Sequence, residues 1–241
     1  MKKIDICLSP DLIHQFDLSG TVVVVIDILR ASSSIATAIA HGVNHVRIVE
    51  SLPECRQLKQ EGYIGAAERG GKKVGGFDLG NSPFSFMNPE LEDQKIALTT
   101  TNGTSALKKS SGALQVIIGS FLNYSAILAY LERLPCDILL FCAGWKGKVN
   151  MEDTLFAGAI IHGLKQLFAY DSDAPLMALQ LYRQAKDNLK LAVEKSSHVK
   201  RLLDLGLEKD IDFCLKHDEY KSIPVLKGDY ITKMKLSDML F

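Results

Sequence analysis

The stretch Val22–Ile39, "VVVVIDILRASSSIATAI", decides the fold. Apolar residues run without a break from Val22 into Asp27. Arg30 follows, and then a serine-rich segment with helical spacing. An unbroken β-branched run describes a strand buried on both faces, and the change of period after it marks a strand–turn–helix unit. A carboxylate that ends such a run is costly unless something pairs with it. In open α/β sheets the carboxyl ends of strands are where ligands bind.

The same unit recurs along the chain. Strands are expected at "KIDICLS", "TVVVVIDI", "NHVRIVE", "YIGAAE", "KIALTT", "LQVIIGS" and "DILLFCAG". Helices are expected at "SSSIATAIAHG", "LPECRQLKQEG", "TSALKKSSG", "NYSAILAYLERL" and "MEDTLFAGAIIHGLKQLF". Ser32 or Ser33 is suited to cap the first helix, Pro53 to open the second, and Gly42 and Gly62 to end them. Beyond Tyr170, "APLMALQLYRQAKDNLKLAVEKS" and "SSHVKRLLDLG" have amphipathic helical spacing, and "PVLKGDYITKM" suggests a last strand. The expected fold class is α/β: a mostly parallel or mixed sheet flanked by helices, with a helical C-terminal portion. No linker or repeat interrupts it, so residues 1–241 are expected to form a single domain, with 170–241 as its helix-rich part. The glycine-rich run from Arg69 to Pro89 is too long for a simple connector, and such loops are usually functional.

Composition removes several function classes. With 28 basic against 28 acidic residues the net charge is zero, which leaves no electrostatic footprint for nucleic acid. Asp5 breaks the only apolar run near the N-terminus, and no segment approaches the ~20 apolar residues that span a bilayer, so neither a signal peptide nor a membrane anchor is expected. The five cysteines are widely spaced and form no CxxC pair, as in a cytoplasmic protein with reduced thiols. The six histidines form no metal-binding pattern, and none is given a catalytic role.

Polar residues collect after the strands. Asp27 and Arg30 follow the second strand. Glu68 and Arg69 follow "YIGAA" and lead to "GNSP", which contains Asn81 and Ser82. Thr100, Asn102, Gly103 and Thr104 follow "KIAL". Glu152 and Asp153 open the helix after "DILLFCAG". Mg²⁺ takes hard oxygen ligands and often uses few carboxylates, so Asp27, Glu68, Glu152 and Asp153 suit a metal site. Acids in the first turn of a helix also stabilise its dipole, which is an ordinary account of Glu152 and Asp153. The "TTTNGTSAL" turn can aim N–H groups at a phosphate, although it lacks the lysine of a Walker loop. Arg30 and Arg69 can fork an anion. Two phosphatase templates fail: "DILRA" puts Leu29 where a second aspartate belongs, and "CAGWKGK" offers Lys148 where a cysteine phosphatase has arginine. The latter keeps the Cys142 thiolate as a rival nucleophile.

Taken together and in order, "VVVVIDILRASSSIATAIAHG", "GAAERGGKKVGGFDLGNSP", "ALTTTNGTSAL" and "LLFCAGWKGKVNMEDTLFAGAII" closely resemble the signatures of the 2-phosphosulfolactate phosphatase family. The resemblance runs from about Ile4 to Leu167 and, more loosely, through "DLGLEKDIDFCLKHD" and "PVLKGDYI". It implies a magnesium-dependent hydrolase that converts 2-phospho-3-sulfolactate to 3-sulfolactate, a step toward coenzyme M, on an α/β fold distinct from the common phosphatases. Fitted to the strand-end residues, that reaction is expected to place catalysis on Asp27, Arg30 and Glu68, and Mg²⁺ on Asp27, Glu68 and one or both of Glu152 and Asp153. Substrate binding falls to Arg69, Asn81, Ser82, Thr100, Asn102, Gly103 and Thr104. The expected partner is a small anionic phosphorylated substrate, not nucleic acid or membrane, and the amphipathic C-terminal helices leave room for a homodimer. The rival readings are a phosphatase for another small phosphorylated acid and a non-catalytic binder of sulfonated or phosphorylated anions.

Overall fold

The computed structural model describes residues 2–100, 103–164 and 167–241. In chain order its elements are β1 (Ile4–Cys7), β2 (Thr21–Ile26), α1 (Ala31–Ala40), β3 (His45–Ile48), α2 (Leu52–Gln60), β4 (Ile64–Arg69), β5 (Lys72–Lys73), β6 (Lys95–Thr99) and α3 (Gly103–Lys109). Then follow β7 (Gln115–Gly119), α4 (Tyr124–Arg133), β8 (Asp137–Cys142), α5 (Met151–Gly163), α6 (Ala174–Ala185), α7 (Leu189–Val193), α8 (Ser197–Asp204), α9 (Glu208–Cys214), β9 (Pro224–Lys227) and β10 (Tyr230–Lys233). Each expected strand is present, which bears out the α/β reading and the helical C-terminal portion. The long helix expected from Ala174 divides into α6 and α7. Asn188 divides it because its side chain accepts the Leu191 N–H at 3.0 Å and caps a new helix instead of continuing the old one.

Strand β2 shows why its sequence has no polar position. Val22, Val24 and Ile26 pack into one core with β1, β8, α4, α5 and α6, while Val23 and Val25 pack into another with α1, α3, β3 and β6. Alternate residues face opposite sides of a sheet, so a strand covered on both faces must be apolar throughout.

Among the described residues the strands form one sheet in the order β1-β8-β2-β7-β9-β10-β3-β6-β4-β5. The segment "PVLKGDYITKM" is not a single last strand. It bends at Gly228 (φ +61) and Asp229 into a two-residue hairpin, β9–β10, which enters the middle of the sheet. A left-handed first turn residue followed by an ordinary second one is the glycine-first hairpin pattern. The pairs β7–β9, β9–β10 and β10–β3 are all antiparallel. The parallel block β1-β8-β2-β7 therefore runs against the block β3-β6-β4 along the ladder, so the polar strand ends do not share one continuous parallel edge, as the sequence suggested. Six steps separate β2 from β4, and a natural twist of roughly 20–25° per step would bring their directions back to within roughly 30–60°. The sheet closes over α1, so that Val23, Val25, Ala66 and Leu98 share one core.

The helix expected to be capped by Ser32 or Ser33 has Arg30 at its N-cap, with no side-chain cap. Instead all three serines are buried and stitch the corner. Ser32 Oγ accepts the Asp27 N–H (3.1 Å), Ser33 Oγ donates to the Ile28 carbonyl (2.9 Å), and Ser34 Oγ donates to the Asn81 carbonyl (2.9 Å). On the other face α5 lies close against α6: a methyl on Gly158 would sit 2.1 Å from the Ala178 carbonyl oxygen. Gly158→Ala would gain roughly 0.5–1 kcal/mol in a free helix. Here overpacking of about 1–3 kcal/mol dominates, and the thermal midpoint is expected to fall by roughly 2–10 °C in scanning calorimetry. A raised midpoint would contradict the close α5–α6 approach.

Candidate active site

The stitched corner between β2 and α1 carries Asp27 and Arg30. The Asp27 carboxylate accepts the Ala31 N–H on one oxygen (3.3 Å). Its other oxygen lies 3.0 Å from where a methyl on Gly103 would stand, so only glycine at that position lets α3 approach the acid. A cavity of about 260 Å³ opens at this corner and is lined by Asp27, Arg30, Glu68, Arg69, Asn81 and Thr100, together with Trp145, Lys146, His198 and Arg201. Six of the residues expected from sequence thus meet in one place.

The far wall comes from β4 and the glycine-rich loop. Glu68 accepts the Gly71 N–H, and the Gly71 carbonyl accepts Arg30 Nη2 (2.8 Å), so the loop is folded around these two side chains. Arg30 Nη1 pairs with Asp210 of α9 at 2.5 Å, both side chains being buried. Arg30 is therefore paired, but not with Asp27. Ser82 does not reach the cavity. Its hydroxyl donates to the other Asp210 oxygen (2.8 Å) and so supports the Arg30 pair. Arg69 lines the cavity, yet its donors go to the Glu68 carbonyl (2.7 Å), to Thr99 Oγ1 (2.9 Å) and, at longer range, to the Thr99 and Glu50 carbonyls. It ties β4 to β6. Thr104 is buried and its hydroxyl accepts the Thr100 N–H (3.2 Å), so it shapes the turn from behind. Asn102 lies outside the described residues. The buried Oδ1 of Asn81 has no hydrogen-bond partner, which leaves one polar atom at the cavity wall for a ligand.

The third wall was not legible as such. After β8 the chain turns tightly at Gly144, where a methyl would meet the Lys148 carbonyl at 2.3 Å. The turn presents Trp145 and Lys146 to the cavity. The indole stacks on His198 of α8 with a 7° interplanar angle and 5.4 Å between centroids. His198 Nδ1 lies 2.6 Å from Glu152 Oε1, which also accepts Asn150 Nδ2 (3.1 Å). One sequence signal pointed here: His198 stands on the apolar side of α8 with Val199 and Leu202, and Arg201 follows it by three residues, one turn along the same side.

The carboxylates separate into two kinds. Asp153 has both oxygens engaged, by the N–H groups of Ile28 (2.8 Å) and Gly144 (3.1 Å), so it locks the ends of β2 and β8 to α5. Burial, and then repulsion from Asp27 and Glu152, pushes its pKa well above the ordinary carboxylate range. Among the described residues no three His, Cys, Asp or Glu side chains form a ready metal-binding group. Asp153 is structural, and Glu152 is the partner of His198. The cavity-facing pair Asp27 and Glu68 does fit Mg²⁺ in its common mode, with few carboxylates and the remaining ligands from water and substrate oxygens. Burial lifts Asp27 to about 6, opposed by His198 and the Ala31 N–H and reinforced by Glu68 and Glu152, and a cation between Asp27 and Glu68 would relieve that repulsion.

The Cys142 rival is ruled out by position. The thiol is fully buried, does not line the cavity, and has its pKa pushed well above the ordinary value, first by burial and then by Asp153. A nucleophilic cysteine needs the opposite surroundings. No helix among the described residues is long and apolar enough to cross a membrane.

The chain is similar to known proteins over most of its length. The family model described as 2-phosphosulpholactate phosphatase matches residues 7–229. The chain is 41% identical over 212 residues to a probable 2-phosphosulfolactate phosphatase of Thermotoga petrophila, covering 87% of this chain and 91% of the relative. It is 39% identical over 224 residues to a protein of the same name from Caldanaerobacter subterraneus subsp. tengcongensis, covering 91% and 93%. A third such protein, from Clostridium beijerinckii, is 34% identical over 236 residues, covering 95% and 99%.

The raised pKa of Asp27 has a thermodynamic consequence. Its folded value, about 6, exceeds its ordinary 3.8, so the folded chain binds the proton more tightly. Ionising Asp27 therefore lowers stability as pH rises from about 4 through 6, and the loss is complete above that window. Asp27→Asn, which carries no charge, is expected to be more stable than the parent at pH 7.5 in the presence of chelator, by roughly 1–3 kcal/mol. That advantage should close as pH falls toward 4. Urea unfolding at several pH values checks this, and an advantage that does not vary with pH would contradict the burial of an ionised Asp27.

Proposed function

The chain belongs to the 2-phosphosulfolactate phosphatase family, and from that premise we propose that it hydrolyses 2-phospho-3-sulfolactate at the Asp27–Glu68 cavity. Water enters, the ester P–O bond breaks, and 3-sulfolactate and inorganic phosphate leave. The observation that carries this reading is one small cavity in which two acids at strand ends face arginine, lysine and histidine side chains. That division of charge suits a metal-bound phosphate at one end and an anionic organic group at the other.

Asp27 and Glu68 hold Mg²⁺ when it is bound, and the metal supplies positive charge to the phosphoryl oxygens. The remaining work belongs to the chain. Arg30, fixed by Asp210 and the Gly71 carbonyl, turns its unused N–H edge to the phosphate and neutralises charge that develops as the ester bond breaks. A preformed guanidinium needs no reorganisation at that moment, which is the value of burying it. His198 handles the proton of the ester oxygen. The Glu152 carboxylate takes Nδ1–H, which leaves Nε2 as the atom that gives and regains a proton. The stacked Trp145 holds the imidazole plane. The Asn81 amide, with its unpartnered oxygen, is a ligand for the hydroxyl or carboxyl region of the substrate.

Within this reading magnesium is the cofactor, and the setting is cytoplasmic formation of coenzyme M precursors. Two measurements check it. Phosphate release from 2-phosphosulfolactate is expected with Mg²⁺ and should be abolished by excess EDTA. Activity that survives EDTA would remove the metal from the account, and no release at all would remove the substrate. His198→Gln is expected to lower kcat by about 10²–10⁴-fold with a smaller effect on KM, and an unchanged kcat would take the proton-handling role away from His198.

A further inference from the structure

We propose that Arg201, held on the face of Trp145, is the residue that recognises the sulfonate group and sets the enzyme's preference for a sulfonated substrate. The inference rests on the reading of the cavity given above and assigns its organic end. Of the arginines that the sequence offered, Arg30 serves the phosphate end and Arg69 is engaged elsewhere. Arg30 is bound to Asp210 and to the Gly71 carbonyl, and Arg69 spends its donors on Glu68, Thr99 and Glu50. Arg201 differs from both. It lines the cavity, and among the described residues its guanidinium makes no hydrogen bond and no ion pair. Its contact is with the indole of Trp145, with Cζ 5.6 Å from the ring centroid.

A guanidinium over an aromatic face is held there by cation–π attraction while its N–H donors remain available. That edge matches two oxygens of a tetrahedral oxyanion, as in the bidentate forks made with carboxylate and phosphate. The loop opposite adds no competing acceptor side chain, since Gly70 and Gly71 lie against Arg201: methyl groups on either would be 3.6 Å from its Nη2. Both glycines have positive φ, +66 and +86, so larger residues there would be strained, and at Gly71 a methyl would also meet Leu205 at 2.6 Å. The Asp27–Glu68 end suits the metal-bound phosphate, and the Arg201 end is left to a permanently charged anion. A sulfonate satisfies that requirement because it is the anion of a strong acid and keeps its charge well below neutral pH.

The test compares 2-phosphosulfolactate with phospholactate, which lacks only the sulfonate, in the wild type and in Arg201→Met. Loss of a charge-assisted fork is worth roughly a 10- to 150-fold fall in kcat/KM on the sulfonated substrate. Phospholactate should change by less than about threefold, and the wild-type preference should collapse. Arg201→Lys is expected to restore part of it, since lysine returns the charge without the fork. An equal loss on both substrates would overturn the proposal and make Arg201 a structural or general electrostatic residue. A second arm titrates 3-sulfolactate calorimetrically into both proteins and needs no turnover. Binding by the wild type that is lost in Arg201→Met supports the assignment even if neither phosphate ester is hydrolysed, a result that would count against the proposed reaction alone. Equal binding by both proteins, or none by the wild type, would overturn the assignment itself.

Discussion

The buried ion pair between Arg30 and Asp210 is the constraint on which the rest of the site depends. It joins the β2–α1 corner to α9, across 180 residues of chain. Taking two charges out of water is expensive, and such a pair persists only where further hydrogen bonds satisfy the remaining groups. Here Ser82 takes the second Asp210 oxygen and the Gly71 carbonyl takes the second Arg30 nitrogen. The pair therefore fixes three separate segments at once: the corner, the glycine-rich loop and the C-terminal helices. Loss of one partner would leave a bare charge in the core and release all three.

The sheet explains why such a tie is required. The hairpin β9–β10 reverses the ladder between the two parallel blocks, so Asp27 and Glu68 come from strands that run in opposed senses along the sheet. Twist and closure over α1 bring their carboxyl ends together, and the glycine-rich loop spans what remains. The helices after β8 then cover the open side. His198 and Arg201, one turn apart on α8, enter the cavity there, and both lie against Trp145. The catalytic chemistry is thus assembled at a seam between the sheet and a helical cover.

How much of this the sequence disclosed follows from the range of the interactions. Local signals were sufficient for the seven strands expected before Tyr170, for α1 to α5, and for the polar strand ends: Asp27, Arg30, Glu68, Arg69, Asn81 and Thr100 all reach the cavity. Their roles were less legible, because a role depends on partners far away in the chain. Arg69 and Ser82 resemble ligands until Thr99 and Asp210 are seen to hold them. The structural tie that Asp153 makes, to the N–H groups of Ile28 and Gly144, has no local signal either. His198 had no motif around it, since its partner Glu152 lies 46 residues away, and nothing short of the fold brings them together. The central placement of β9–β10 was hidden for the same reason: pairing order in a mixed sheet is a tertiary property.

The central claim is that the corner bearing Asp27 and the C-terminal helices act as one unit through Arg30 and Asp210. A double-mutant cycle with Arg30→Met and Asp210→Leu, read in both urea unfolding and kcat/KM, tests it most directly. The account predicts that each single change costs about 3–5 kcal/mol of stability by stranding a buried charge. The double change should recover much of that loss while leaving activity as low as in the worse single variant. Stability losses that simply add, or a double variant that regains activity along with stability, would contradict the account.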